Sequence, residues 1–88
     1  MEELLRRLSA GTKLRMLFDY NRLKDKETVE LEVVVADERS LFVRGTQNFH
    51  WNTPWNLPEY SVQLCDWGFA ILRKDKGAYI YEFIEEGN

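Results

Sequence analysis

The run Val29-Glu30-Leu31-Glu32-Val33-Val34-Val35-Ala36 limits what this chain can become more than any other stretch. Val29, Leu31, Val33 and Val35 fall on one side of an extended backbone, with Glu30 and Glu32 on the other. A helix would scatter these side chains around its axis. A strand gathers them on one dry face, because successive side chains point to opposite sides. The same period of two runs through residues 12–20. There Leu14, Met16, Phe18 and Tyr20 alternate with Lys13, Arg15, Leu17 and Asp19.

These two segments set the reading of the rest. Residues 28–36 and 40–45 form a hairpin across the loop Asp37-Glu38-Arg39. Side chains that share a face must pair. Val33 is therefore expected opposite Val43 and Val35 opposite Leu41, with Glu32 opposite Arg44 and Val34 opposite Phe42 on the outer face. Tyr60, Val62 and Leu64 alternate with Ser61 and Gln63, which predicts another strand. Asp66-Trp67-Gly68 reads as a turn or bulge. Residues 69–74 and 78–84 are expected to form a last hairpin closed by Asp75-Lys76-Gly77, with Gly77 supplying the left-handed position. In that register Leu72 faces Ile80, Ile71 faces Tyr81 and Phe69 faces Phe83. Both faces of this hairpin are apolar. Residues 21–27 read as a polar loop and 85–88 as a polar tail.

Ahead of the strands, residues 2–10 predict a short helix. Leu4, Leu5 and Leu8 make its stripe. Glu2 and Glu3 stand in the first turn and Arg6 and Arg7 near the end, as the helix dipole favours. Gly11 is the expected stop. A helix this short is unstable alone and must dock on something.

The expected fold class is α+β and mostly β, in one domain over residues 1–88. A short N-terminal helix leads into a six-strand antiparallel meander, curled into a small barrel or kept as a strongly curved sheet. A helix followed by bent strands is similar in shape to the Sm-like barrel. The segment from Leu14 to Tyr20 resembles the opening strand of WYL ligand-sensing domains. The likeness spans about half the chain. Leu41-Phe42-Val43-Arg44 stands where a Trp-Tyr-Leu signature would be, and no Sm nucleotide-pocket motif is present. The resemblance therefore implies a barrel shape and assigns no functional residue.

Composition narrows the function classes. The 88 residues are 44% hydrophobic and 31% charged, a globular balance. The net charge of −3 argues against general nucleic-acid binding, which needs clustered cations. The charge is uneven, with seven Lys/Arg against four Asp/Glu in residues 1–26. The single cysteine, Cys65, allows no intramolecular disulfide. With no signal-peptide pattern and no long apolar run, a cytoplasmic protein without a membrane partner is expected.

Aromatic residues reach 14%, and several gather where the alternation stops. Residues 46–58 carry two prolines and three asparagines and read as a long loop, yet hold Phe49, Trp51 and Trp55. Large rings with few rotors suit binding, while Asn and His supply hydrogen bonds. Phe49, His50, Trp51, Asn52, Trp55 and Tyr60 are therefore the candidate ligand-binding residues. The competing reading folds Trp51 and Trp55 back as lids on a core too small to close itself. On the outer strand face, Leu17, Val34, Phe42 and Arg44 make a candidate interface, an apolar patch rimmed by charge. Cross-strand ion pairs on a solvated face are the plainer reading.

The expected function is a small non-catalytic binding module that self-associates, a dimer being the first guess. Its ligand is an unidentified protein or small molecule, and no cofactor or metal is expected. One alternative is a single-strand nucleic-acid binder that stacks bases on Trp and Tyr, with Lys13, Arg15 and Arg44 on the phosphates. Another is an enzyme built on His50, Cys65 and Asp66, whose residue types lack metal-ligand spacing. Neither Glu30 with Glu32 nor Glu59 with Asp66 makes more than an ordinary pair of surface carboxylates.

Overall fold

Leu8 takes a non-helical backbone, with φ −113° and ψ 53°, and this ends the first element. Helix α1 is Glu2–Arg7, shorter than the sequence predicted. The computed structural model describes residues 1–19, 29–45, 50–74 and 76–84. The expected loop 21–27, Tyr20, Phe49, Asp75 and the tail 85–88 lie outside the described residues.

Gly11 does not stop the helix. It sits further on, at φ 93°, where the chain turns to enter the first strand. Its N–H donates to the Val33 carbonyl at 2.8 Å, and the Val33 N–H donates to the Thr12 carbonyl at 2.8 Å. The chain thus joins the sheet directly after the turn. Leu4 and Leu8 are both buried and plug the core from the helix side.

The strands are β1 (Lys13–Asp19), β2 (Val29–Ala36), β3 (Leu41–Arg44), β4 (His50–Thr53), β5 (Tyr60–Leu64), β6 (Gly68–Arg73) and β7 (Gly77–Phe83). They form one seven-stranded antiparallel sheet, where six strands were expected. The extra strand, β4, lies inside the stretch read as loop. Its residues His50-Trp51-Asn52-Thr53 give little apolar alternation, and only pairing with β3 makes them a strand.

The strand order is β4-β3-β2-β1-β7-β6-β5, so the fold is not a simple meander. Two three-strand units, β2-β3-β4 and β5-β6-β7, flank β1. The first strand gains neighbours on both sides, which buries Leu14 and Met16 on its inner face. On its outer face Arg15 meets Glu82 on β7 at 2.5 Å and Glu30 on β2 at 3.7 Å. Charge on both flanks suits β1 to the middle position.

The sheet is not closed into a barrel either, since among the described residues β4 and β5 each have one hydrogen-bonded neighbour. It nevertheless wraps around its core. The rings of Trp51 on β4 and Tyr79 on β7 lie 5.4 Å apart. Four strand spacings separate them along a flat sheet, or about 19 Å. Register shifts between Met16 and Phe18 and between Val33 and Val35 supply local coiling. Between the two edges, ring contacts stand where a barrel would have a ladder. Trp55, just after β4, meets Phe69 on β6 edge-on at 6.5 Å, and Phe69 in turn stacks on its cross-strand partner Tyr81 at 4.9 Å. The core comprises Leu4, Leu8, Leu14, Met16, Leu31, Val33, Leu41, Val43, Trp55, Phe69, Ile71, Tyr79 and Tyr81.

Two registers differ from those read off the sequence. In β2–β3 the pairs Val33–Val43 and Glu32–Arg44 form as expected, but Val35 then pairs with Phe42 and Ala36 with Leu41. A bulge at Val34 absorbs one residue and turns Val35 outward. In β6–β7, Lys76 N–H donates to the Arg73 carbonyl at 3.0 Å, and Arg73 pairs with Gly77. The turn therefore closes earlier than predicted, and the register moves by two. Leu72 opposes Ala78, Ile71 opposes Tyr79 and Phe69 opposes Tyr81. A slip of two preserves the faces, so the inner and outer sets stay as expected.

Candidate functional site

On the outer face, the structure joins members of two groups that the sequence kept apart. Phe42 pairs with Asn52 and Arg44 with His50, so β3 and β4 present all four on one side. The Val34 bulge adds Val35, half exposed at 51%, directly beside Phe42. The His50 ring stands edge-on to Phe42 with centroids 5.8 Å apart. Exposed Val35 and His50 and half-buried Phe42 thus form an apolar and aromatic patch, with the exposed amide of Asn52 beside it.

Charge borders this patch. The Arg44 guanidinium meets Glu32 at 2.9 Å, and Lys13 reaches the other Glu32 oxygen at 3.0 Å. One carboxylate thereby bridges two cations across β1, β2 and β3. Hydrogen bonds from Lys13 and then Arg44 hold the Glu32 carboxyl below its ordinary value, since both favour the charged form. Lys13, Glu30, Leu31, Glu32, Arg44, Gly45 and Ile84 line an open groove of about 410 Å³ alongside. Its described cations are matched by carboxylates.

The remaining ligand candidates lie elsewhere. Trp55 is 3% exposed and belongs to the core. Its indole N–H donates to the Asp37 carbonyl at 2.8 Å. Trp51 is half-buried, turned toward Tyr79, and its Nε1 donates to Thr53 Oγ1 at 3.0 Å. Tyr60 opens β5 at the far edge of the sheet, with the Arg73 guanidinium 5.6 Å from its ring. Of the described members, His50 and Asn52 share one surface, Trp51 and Trp55 face inward, and Tyr60 stands apart. In the interface set, Phe42 and Arg44 belong to the patch, Val34 is the half-buried bulge residue beside it, and Leu17 is exposed at the β1 irregularity.

His50 and Cys65 lie at opposite ends of the strand order, the first on β4 and the second just after β5. The Cys65 thiol donates to the Gly68 carbonyl at 3.3 Å. Among the described residues, no three His, Cys, Asp or Glu side chains gather to hold a metal ion. Among them, too, no helix is long and apolar enough to cross a membrane.

Sequence reasoning missed Val35. Val33-Val34-Val35 offers apolar side chains in both phases of the alternation, so the pattern reads through a bulge without a break. It also missed Asp37, whose Oδ1 accepts the N–H groups of Arg39 at 2.8 Å and Ser40 at 3.0 Å. Those backbone bonds, led by Ser40, lower the Asp37 carboxyl pKa. Asp followed by a polar pair between two strands was the available signal.

Comparison with protein-family models, with curated protein sequences and with solved structures gives no match to this chain.

Proposed function

We propose that the protein is a small non-catalytic interaction module that binds a protein partner through the outer face of β2, β3 and β4. The observation that carries this reading is the outward turn of Val35 beside Phe42 and His50, inside a border formed by Arg44, Glu32 and Lys13. An exposed apolar centre with aromatic rings and a charged rim has the anatomy of a protein interface.

The nucleic-acid reading is weaker. It needs open rings and available cations, whereas Trp55 is buried and Lys13, Arg15 and Arg44 are each tied to carboxylates. The thiol-enzyme reading needs a base beside Cys65, whereas the Cys65 thiol donates to the Gly68 carbonyl and the His50 ring stands against Phe42.

A photo-reactive benzoyl-phenylalanine in place of Phe42 tests the proposal in cells. The expected result is a discrete cross-linked protein species that disappears when Val35→Lys is added. Absence of any such adduct, or one indifferent to Val35→Lys, contradicts the assigned surface.

A further inference from the structure

Among the described residues strand β5 ends the sheet, and its sequence does nothing to protect that edge. Natural edges are blunted by charge, proline or a bulge, because an open ladder pairs with any extended chain. The other terminal strand, β4, has four residues and is followed at once by Pro54. Tyr60-Ser61-Val62-Gln63-Leu64 has five residues, no charge, no proline and unbroken pairing to β6.

The register shows which groups face outward. Lys74 N–H donates to the Glu59 carbonyl at 2.7 Å, and Cys65 N–H donates to the Gly68 carbonyl at 2.9 Å. In an antiparallel pair, hydrogen-bonded positions alternate. Glu59, Ser61, Gln63 and Cys65 therefore bond toward β6, while Tyr60, Val62 and Leu64 direct their backbone groups away from it. The Tyr60 N–H turns back to the Leu57 carbonyl at 3.0 Å.

We propose that two copies of this chain pair edge to edge through β5, antiparallel, about a twofold axis at Val62. In that register Val62 meets its own counterpart, Tyr60 meets Leu64 and Ser61 meets Gln63. Val62 N–H donates to the Val62 carbonyl of the second copy, and Leu64 N–H to its Tyr60 carbonyl. With their symmetry mates these make four backbone hydrogen bonds and leave the turn at Tyr60 intact. Inner side chains meet inner and outer meet outer, as an isologous contact requires.

A second observation selects another copy of the chain as the occupant. Two of the exposed large apolar residues, Leu57 at 40% and Trp67 at 52%, flank β5 in the turns at its two ends. They stand five residues before and five residues after Val62. The twofold brings the Leu57 turn of one copy beside the Trp67 turn of the other, at both ends of the new ladder. The nearest flanking carboxylate, Glu59, is held by Arg73 at 3.5 Å. This surface is separate from the Phe42 patch, so a dimer carries two such patches.

Sedimentation equilibrium on the full chain, with two charge designs at exposed Ser61 and Gln63, tests the proposal. Ser61→Lys with Gln63→Lys sets like charges opposite each other across the axis. Ser61→Lys with Gln63→Glu sets opposite charges there. Circular dichroism checks that both remain folded. The wild-type chain is expected to be dimeric at about 100 μM, an ordinary range for a small interface. The double-lysine form should dimerise roughly tenfold more weakly, and the Lys/Glu form should hold or strengthen the dimer. A monomeric wild type overturns the proposal. So does a double-lysine form that dimerises like wild type, or equal weakening in both designs. Phe42→Ala should leave the dimer intact, so a failed patch and a failed edge remain distinguishable.

Discussion

The Trp55 indole donates a hydrogen bond to the Asp37 carbonyl at 2.8 Å and thereby ties the segment after β4 to the β2–β3 turn. The Asn56 N–H reaches the Arg39 carbonyl at 3.3 Å in support. The buried ring then rests edge-on against Phe69 on the far side of the core. One side chain thus connects the two three-strand units across the gap between the sheet edges.

Trp55→Ala is expected to cost about 3–5 kcal/mol of folding stability, the range for emptying a large aromatic site. Trp55→Phe keeps most of the packing and loses the donor, at about 1 kcal/mol. Urea unfolding of both variants checks this. A loss below about 1 kcal/mol for Trp55→Ala would place the ring outside the core.

This tryptophan marks where sequence reading ran out. The strands β1, β2 and β5 were legible because Leu14, Leu31 and Val62 each alternate with polar neighbours, and alternation reports a half-buried sheet. The inward turn of Trp55 was one of two readings the sequence left open. Its partners Asp37 and Phe69 are distant in the chain, and a ring in a proline-rich stretch fits a lid as well as a ligand site. The candidate site was legible only in pieces. The sequence marks Phe42, Arg44, His50 and Asn52, but its broken alternation reads His50 and Asn52 as loop. Only the β3–β4 pairing places them beside Phe42. The alternation points Val35 to the core, because a bulge leaves no trace among three consecutive valines.

Gly68 provides a sharp test of the β6–β7 register. A Cβ built there would stand 2.0 Å from the Tyr81 carbonyl oxygen and 3.0 Å from Glu82 Cα, both backbone atoms of the neighbouring strand. Gly68→Ala must force the strands apart and is expected to cost about 3 kcal/mol or more. Gly11 differs, since its added Cβ would meet nothing within 4 Å and only the φ of 93° opposes it. Gly11→Ala should cost about 1 kcal/mol. Thermal unfolding of the pair checks the order. A tolerated Gly68→Ala contradicts the close approach.

Glu32 should make stability pH-dependent in acid. Its carboxyl is held below the ordinary value of 4.5 by Lys13 and Arg44, so the unfolded chain takes up its proton first as pH falls. The contribution is fully present above that ordinary value and is lost as pH drops through the depressed folded value. Glu32→Gln removes this component. Carbon-detected NMR titration of the carboxyl should give a midpoint below 4.5. The melting temperatures of wild type and Glu32→Gln should converge toward low pH. A midpoint at or above the ordinary value would mean that the bridge does not form in solution.

The proposed β5 edge depends on an open sheet with β1 and β7 paired at its centre. Interstrand NOEs from a uniformly labelled sample measure this most directly, with isotope filtering of mixed labelled and unlabelled chains separating contacts within one copy from those between two. The strand order predicts cross-strand contacts between Met16 and Tyr81 and between Arg15 and Glu82, and no ladder linking His50–Thr53 to Tyr60–Leu64. An intramolecular ladder between those two segments would mean a closed barrel with no free β5 edge.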